Sequence, residues 1–257
     1  MLVDAQVHAG PDRYGPIEDY LPTLKAAGVD AAVLVQQSGS VDNRYLAELV
    51  AQRPDRFAGV GGVDVSAGRA DAQVRRVREA GLTGVRLPAA VRGLDGEPDV
   101  WREIAEAGLV ATVQGPYEDV ADPDFRRLVA DLPGMRVVLE HVGNHRYRPD
   151  GLPDALLRLA ELENVHVMLS CYYRFSSERY PFADSAATVA AVIDAFGPER
   201  LLWSGDLNRA DQGLAEADDD YPQAIALIRC QLGGLTAAER ALVLSGNAAR
   251  LYRIALP

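Results

Sequence analysis

The chain has 257 residues, of which 48% are hydrophobic and 25% charged, a composition that excludes intrinsic disorder and predicts a globular core. Its 26 basic and 37 acidic residues give a net charge of −11, which argues against nucleic acid or an anionic membrane surface as partners, since both attract clustered cations. The sequence shows neither an apolar run of membrane-spanning length nor a signal peptide, so we expect a cytoplasmic protein with no membrane partner.

Eight short apolar runs, taken in chain order, predict strands covered on both faces, because their hydrophobic residues do not simply alternate with polar ones. The predicted strands are Leu2–His8, Ala31–Gln36, Phe57–Val63, Val85–Leu87, Leu109–Gln114, Arg136–His141, Val165–Ser170 and Leu201–Asp206. Stretches with helical spacing lie between and after them, at Ile17–Ala27, Arg44–Gln52, Ala70–Ala80, Val100–Ala107, Pro123–Asp131, Leu152–Leu162, Ala183–Ala195, Tyr221–Leu232 and Thr236–Leu244. Three helix ends carry a glycine where a left-handed residue is common, at Gly28, Gly81 and Gly108. Thr236 and Glu239 have the spacing of a capping box.

This alternation predicts an α/β protein, a (β/α)₈ TIM barrel in which residues 1–257 form a single domain. A doubly wound open sheet is the alternative, but the glycine-rich phosphate turn that usually follows its first strand is missing. The acidic run Glu216–Asp220 is expected to be a solvated loop rather than a metal cluster. In a TIM barrel the chemistry lies at the C-terminal ends of the strands, so the residues there are the functional candidates.

Polar and ionisable side chains follow the apolar run at almost every predicted strand end. On the first strand Asp4, Gln6 and His8 are spaced two apart and are expected to share one face, with Gln6 and His8 nearest the mouth of the barrel. The other strands end in Gln36, Arg86, Gln114, Glu140–His141, Ser170–Arg174 and Ser204–Asp206. A single such residue often closes a core, but this many together predict a shared polar mouth.

The strand-end segments carry a family resemblance. Asp4–His8 resembles the opening Asp-x-His-x-His motif of the amidohydrolase-related superfamily. Val35–Ser38, followed by Asp42, Asn43 and Leu46, resembles the second-strand region of its metal-independent lactonase branch, whose members are 2-pyrone-4,6-dicarboxylate lactonase-like and sugar lactonase-like. Similar segments follow in order at Gly84–Leu87, Glu140–Gly143, Ser170–Ser176, Leu202–Asp206 and Gly246–Tyr252. The resemblance spans nearly the whole chain and implies a hydrolase that acts on a small molecule.

The resemblance also bears on whether the site holds a metal. Metal-dependent members bind zinc at positions that correspond here to Gln6, His8, Gln114 and Asp206. Two of the four are glutamine, and a neutral amide oxygen is a much poorer zinc donor than imidazole. We therefore expect a metal-free site with no cofactor. The alternative is one divalent, zinc-like ion held by His8, His141 and Asp206.

In the lactonase branch the eighth-strand aspartate activates water and histidines polarise the ester carbonyl. By this resemblance Asp206 is the expected general base, and His8 and His141 are the expected electrophilic donors for a lactone or related activated ester. Arginine binds carboxylates through two parallel hydrogen bonds, so arginines at the mouth predict a small, carboxylated substrate. The expected substrate-binding residues are Gln6, Gln36, Arg86, Gln114, Tyr172, Tyr173 and Arg174.

Other features keep alternative functions open. The segment after Asp206 reads Leu207–Asn208–Arg209, where the family commonly has Trp-Pro-His, and this puts the usual lactone specificity in doubt. A metal-dependent decarboxylase or hydratase of the same superfamily is one alternative, and a barrel that has lost catalysis and binds a small ligand is another. Cys171 has no activating partner nearby in sequence and is not expected to be a nucleophile. His166 is expected to be structural and His145 a rim residue, and assembly into a homo-oligomer is compatible with the sequence.

Overall fold

Eight parallel strands form one sheet in which each strand pairs with the next along the chain. The computed structural model describes residues 1–11, 13–65, 70–89, 97–148, 150–207 and 214–255. The strands are β1 Val3–Val7, β2 Ala31–Val35, β3 Phe57–Gly62, β4 Gly84–Pro88, β5 Val110–Gln114, β6 Arg136–Leu139, β7 Val165–Leu169 and β8 Leu201–Trp203. Beyond β8 the chain meets β1, where Leu207 forms a parallel bridge with Val7 and its carbonyl accepts a 3.0 Å hydrogen bond from the His8 N–H. The predicted (β/α)₈ barrel is confirmed.

The strands are apolar on both faces because the barrel has two hydrophobic layers. One layer fills the barrel and includes Val33, Val110 and Met168. The other lies between the strands and the surrounding helices and includes Leu34 and Val113. Adjacent residues of a strand therefore pack into different layers. This explains why the sequence shows continuous apolar runs instead of apolar residues that alternate with polar ones.

Helices follow the strands and cover the outer layer. Their bounds are Leu21–Ala26, Arg44–Gln52, Ala70–Glu79, Glu97–Glu106, Tyr117–Val120, Pro123–Asp131, His141–Asn144, Asp154–Ala160, Tyr172–Phe175, Ser185–Phe196, Leu214–Gln231, Ala237–Ala241 and Asn247–Tyr252, with 3₁₀ turns at Ile17–Asp19, Pro198–Arg200 and Leu232–Gly234. The three helix-end glycines have the expected positive φ, between 65° and 76°. The capping box of Thr236 and Glu239 is also present. Among the described helices, none has both the length and the apolar character needed to cross a bilayer.

One prediction near the C-terminus is wrong. The acidic run Glu216–Asp220 lies inside the helix Leu214–Gln231 rather than in a loop, because Leu214 and Ala215, which precede it, are strong helix formers that extend the helix toward its N-terminus. The helix predicted over Thr236–Leu244 is present: it begins after Thr236, continues beyond Ala241 as a π-helical turn over Leu242–Gly246 and leads into Asn247–Tyr252. That last helix closes the barrel floor, where the Tyr252 and Thr112 hydroxyl groups lie 3.0 Å apart.

The first strand contains an irregularity that its sequence pattern does not reveal. Its pairing register with β2 shifts between Asp4 and Val7. Asp4 consequently accepts a 2.5 Å hydrogen bond from the hydroxyl group of Tyr221, on a surrounding helix, while Gln6 reaches Glu140 and Asp206. The expectation that Asp4 shares a face with Gln6 and His8 is wrong, because a bulge resets the two-residue alternation.

Candidate active site

A cavity of about 160 Å³ lies at the C-terminal mouth of the barrel. Most of the predicted site residues line it, and three arginines contribute to its wall. The lining residues are His8, Arg13, Tyr14, Ser38, Arg86, Gln114, Glu140, His141, Asn144, Arg174 and Asp206. Gln6 and Tyr173 join the same site through hydrogen bonds to Asp206. The predicted polar mouth is thus a single concave site.

Three residues at the site have a left-handed backbone conformation, and each lies two or three residues beyond the end of a strand. His141, Cys171 and Asp206 have φ values of 50°, 59° and 51°. Their potential ligand atoms lie within 4.8 Å of one another. Left-handed non-glycine residues are strained and persist where the surroundings determine them, often at functional sites. The same turn explains why β6 ends at Leu139 instead of continuing to His141.

Asp206 is buried and held by two hydrogen-bond donors. Its Oδ1 accepts from Gln6 Nε2 at 3.2 Å, and its Oδ2 accepts from the Tyr173 hydroxyl group at 3.1 Å. Burial and the neighbouring carboxylate raise the pKa of Tyr173, so the phenol keeps its proton and remains a donor. The carboxylate is therefore oriented by the Gln6 and Tyr173 side chains.

The geometry around His8 determines which ring nitrogen carries the proton. Nδ1 lies 2.7 Å from the Val35 carbonyl oxygen, and since a carbonyl only accepts, the proton must be on Nδ1. Burial, together with the positive charge of Arg86, lowers the pKa of His8 to about 4. The ring is therefore neutral at pH 7 and Nε2 is a bare acceptor, 3.7 Å from Asp206 Oδ1. The expected role of His8 as a hydrogen-bond donor to a substrate carbonyl does not fit this geometry.

His141 is placed so that it can act as a donor. Its Nδ1 lies 2.8 Å from the Ser170 hydroxyl oxygen, which donates equally well as it accepts. Its Nε2 lies 3.7 Å from Glu140 Oε2. A carboxylate at that distance favours a proton on Nε2, with Ser170 donating to Nδ1. In this tautomer the Nε2–H is the donor available at the cavity.

Glu140 and Arg86 form a buried, bidentate ion pair. Arg86 Nε and Nη2 donate to the two Glu140 oxygens at 2.7 and 2.6 Å, and Nη1 donates to the Gln36 carbonyl at 3.0 Å. Burial alone would lower the pKa of Arg86, but the Glu140 charge outweighs it and raises the pKa, so the guanidinium stays charged. Arg86 thus binds a protein carboxylate, which leaves Arg13 and Arg174 as the other cationic groups of the wall.

Two predicted substrate contacts lie outside this wall. The Gln36 amide bonds to the Gln37 N–H and the Asp42 carbonyl, both at 2.8 Å, and so shapes the loop after β2. Tyr172 is fully buried and stacks on Tyr147, with ring centroids 5.4 Å apart. Gln36 also lines a neighbouring cavity that shares Arg13 and Tyr14 with this one, whereas Tyr172 is packed among other aromatic rings.

Sequence reasoning missed Arg13 and Tyr14, which lie in the loop after β1. The Tyr14 ring stacks on the His8 ring with centroids 5.0 Å apart, and Arg13 lies over Tyr14 at 5.2 Å. Strand periodicity ends at His8, so it carries no signal for residues that return to the mouth from a loop. In the altered segment after Asp206, Leu207 is buried at the barrel closure, whereas Asn208 and Arg209 lie outside the described residues.

The remaining histidines and Cys171 are buried. His145 lies against Tyr117 with ring centroids 5.1 Å apart, and His166 lies near the start of β7. Burial and the Asp206 charge raise the pKa of Cys171 well above its ordinary value, so the thiol stays protonated. A protonated thiol is a poor nucleophile, in keeping with the expectation from the sequence.

Comparison with known proteins places the chain in a family. The family described as amidohydrolase matches residues 3–254. The chain belongs to the amidohydrolase family. This amidohydrolase is a hydrolase, and it is 28% identical to the L-fucono-1,5-lactonase of Burkholderia ambifaria over 256 residues, which cover 95% of this chain and 87% of the relative.

Solved structures share the fold. A Pseudomonas putida protein provisionally assigned as a 2-pyrone-4,6-dicarboxylic acid hydrolase superposes with a TM-score of 0.78 at 24% identity, covering 100% of this chain and 98% of the other. A zinc-bound amidohydrolase from Burkholderia multivorans superposes with a TM-score of 0.79 at 22% identity, with both chains covered completely. At these identities the likeness establishes the barrel alone.

A divalent ion at the mouth of the barrel would need several ligand atoms close to one another. His141, Cys171 and Asp206 offer three ligand atoms close enough for one ion. As arranged, however, both Asp206 oxygens already accept hydrogen bonds, and the Cys171 thiol is protonated. Zinc binds the thiolate, so an ion would have to displace the thiol proton and these hydrogen bonds. These three side chains are therefore a possible ion site, but one that is not preorganised for an ion in this arrangement.

Proposed function

We propose that this amidohydrolase hydrolyses a lactone or related activated ester of a small, carboxylated substrate without a metal ion. The observation that carries the proposal is the joint placement of Asp206 and His141 in one cavity at the strand C-termini. The kinship with a curated lactonase supports the reaction class. Lactones are more reactive than amides, so a carboxylate and a hydrogen-bond donor are sufficient to replace the two functions of a metal, water activation and carbonyl polarisation.

In the proposed reaction Asp206 takes a proton from water as the water oxygen attacks the lactone carbonyl carbon. The negative charge that develops on the carbonyl oxygen is stabilised by the Nε2–H of His141. Collapse of the tetrahedral intermediate breaks the ring C–O bond. The proton held by Asp206 then returns to the leaving oxygen, which yields a hydroxy acid and regenerates the carboxylate.

His8 has a different role in this scheme from the one expected by resemblance. Its bare Nε2 faces Asp206 at 3.7 Å and has no proton to donate at neutral pH. Gln6 has two amide hydrogens and donates to Asp206 and Glu140, so the lone pair of His8 Nε2 can accept one hydrogen of a water molecule that donates its other hydrogen to Asp206. We therefore assign His8 to orienting the attacking water, and His141 alone to polarising the carbonyl.

The charges around the cavity favour an anionic substrate. Among the described residues that line the cavity, three arginines, Arg13, Arg86 and Arg174, stand against two carboxylates, Glu140 and Asp206. The wall is net positive although the whole chain carries −11. A carboxylated lactone is therefore expected to bind more tightly than a neutral sugar lactone of the type named for the Burkholderia relative.

The test is hydrolysis of a lactone panel by the wild-type protein and by Asp206→Asn, with and without a chelator. The panel pairs neutral sugar 1,5-lactones with carboxylated pyrone lactones. Asp206→Asn should lower kcat by ~10²–10⁴-fold, because each well-placed proton-transfer group contributes about that much. The matched control is Asp194→Asn, on the exposed face of the helix Ser185–Phe196, which should leave kcat unchanged.

A second candidate function is a metal-dependent decarboxylase or hydratase, and the close approach of His141, Cys171 and Asp206 favours it. The chelator arm of the same assay separates the two. Activity that survives chelation supports the metal-independent lactonase. Loss of activity that added zinc restores, together with near-stoichiometric zinc by elemental analysis, would overturn the metal-free proposal.

A further inference from the structure

The side-chain nitrogen of Gln6 lies at the centre of three acceptors. His8 Nε2 is 3.1 Å away, Asp206 Oδ1 is 3.2 Å away and Glu140 Oε2 is 3.3 Å away. His8 Nε2 is an acceptor because its other nitrogen carries the proton. Two carboxylates and a bare imidazole nitrogen therefore converge on one point, an arrangement of oxygen and nitrogen atoms typical of a cation site.

The amide can face this point in only one orientation. Exchanging its oxygen and nitrogen would put the amide oxygen next to two carboxylate oxygens and a nitrogen lone pair, all of them acceptors. In the observed orientation Gln6 Oε1 is buried without a hydrogen-bond partner among the described residues. An unsatisfied buried acceptor costs about 1–3 kcal/mol. This cost accompanies the one orientation that places the NH₂ group between the three acceptors.

We propose that the Gln6 amide takes the place of a bound cation in this site: its two N–H groups donate to Glu140 and Asp206, beside His8 Nε2, and the NH₂ group occupies the volume that an ion would need. The inference rests on the proposed metal-independent function and deepens it. By resemblance, Gln6 stands where metal-dependent members have a zinc-binding histidine. Here the side chain supplies the positive end of a dipole instead of a ligand for an ion.

Gln6 is on this account a positioning residue. It holds Asp206 Oδ1 beside His8 Nε2, so that both can engage the same water molecule, and it keeps Glu140 in place while Arg86 neutralises that carboxylate. Without the amide, the two carboxylates and the imidazole nitrogen would face one another with nothing between them. Such a site is ready to attract a divalent cation.

The test replaces the amide and measures zinc binding with no substrate present. Chelator-treated wild type, Gln6→Ala and Gln6→Glu are titrated with zinc alone by calorimetry, and the zinc-induced change in Tm is recorded. Gln6→Ala removes the donor and adds no ligand, whereas Gln6→Glu turns the donor into a ligand of the same length. Gln52→Glu, on the exposed surface of the helix Arg44–Gln52, is the matched control for the added charge.

We expect both Gln6 variants to bind one zinc ion at least about tenfold more tightly than the wild type, the size of effect seen when groups next to a metal site are altered. Gln52→Glu should match the wild type. If Gln6→Glu is too unstable to titrate, Gln6→Ala and its zinc-dependent Tm still decide the question. Equal zinc affinity in wild type and Gln6→Ala overturns the proposal, whether the shared affinity is weak or strong.

The titration involves no turnover, so its failure and the failure of the lactonase proposal are distinguishable. A positioning role adds one kinetic expectation, measured on the lactone that the wild type hydrolyses best. Gln6→Ala in chelator should lower kcat while KM stays within about twofold, because the amide acts on Asp206 and not on the substrate. A change confined to KM would contradict the positioning role.

Discussion

At the scale of single residues, the barrel mouth depends on charges that are buried in pairs. The Arg86 and Glu140 side chains are 10% and 0% exposed, so neither charge has ready access to water. Glu140 also accepts from Gln6 and lies beside His141, so its charge affects several groups of the site at once. Burying two charges has a large desolvation cost that is offset only while both partners are present.

Replacing Glu140 by Gln should therefore destabilise the protein strongly. The substitution keeps the shape of the side chain but leaves Arg86 as an uncompensated buried cation, a change that costs about 3–5 kcal/mol. The measurement is the free energy of unfolding from urea denaturation at pH 7. Glu161→Gln is the matched control, because Glu161 pairs with Arg126 at 2.7 Å but is 63% exposed. The control should lose less than about 1 kcal/mol, and equal losses in both variants would refute the argument.

At the scale of secondary-structure elements, the sequence reveals burial but not backbone turns. The eight strands were predictable because each spans two hydrophobic layers and so shows a continuous apolar run. The bulge in β1 was not predictable, because a register shift changes which face of the sheet a residue occupies without changing the composition of the strand. The left-handed turns at His141, Cys171 and Asp206 were not predictable either, since these residue types do not signal positive φ as glycine does.

The contact between the exit of β8 and the long helix Leu214–Gln231 gives a test at this scale. Gly205 lies so close to the Tyr221 ring that an added Cβ would overlap ring carbons. The Tyr221 hydroxyl group in turn donates to Asp4 in β1, which also accepts from the Gly205 N–H at 3.2 Å. Gly205 therefore lies at the point where the end of β8, the strand β1 and the helix Leu214–Gln231 contact one another.

Gly205→Ala should lower the free energy of unfolding by about 1–3 kcal/mol, the usual cost of overpacking a well-packed core. It should also lower kcat, because Asp206 follows directly in sequence. Gly134→Ala serves as the control, since nothing lies within 4 Å of its added Cβ and the stability should change little. A Gly205→Ala variant as stable and as active as the control would show that the helix moves aside at no cost.

At the scale of the whole molecule, we propose that residues 1–257 unfold as one domain, since a single sheet and its surrounding helices extend from Val3 to Tyr252. Buried titratable groups then make the global stability depend on pH. Burial raises the pKa of Asp4 to about 6, against the opposing hydrogen bonds from Tyr221 and the backbone. The folded state therefore holds a proton on Asp4 that the unfolded state releases, and this stability is lost as the pH rises through about 6.

His166 has the opposite effect on the pH dependence of stability. Burial lowers its pKa to about 4, so the ring stays neutral in the folded state while the unfolded chain takes up a proton below pH 6.5. The unfolded state binds more protons in this window, so stability falls as the pH is lowered from about 6.5 toward 4. At pH 5 the loss of stability from this residue is about 2 kcal/mol relative to pH 7.5.

His166→Gln, measured by urea unfolding at both pH values, should lose about 2 kcal/mol less stability than the wild type on acidification. Asp4→Asn should lose more than the wild type, and the same pH dependence in all three proteins would show that neither buried group titrates as described.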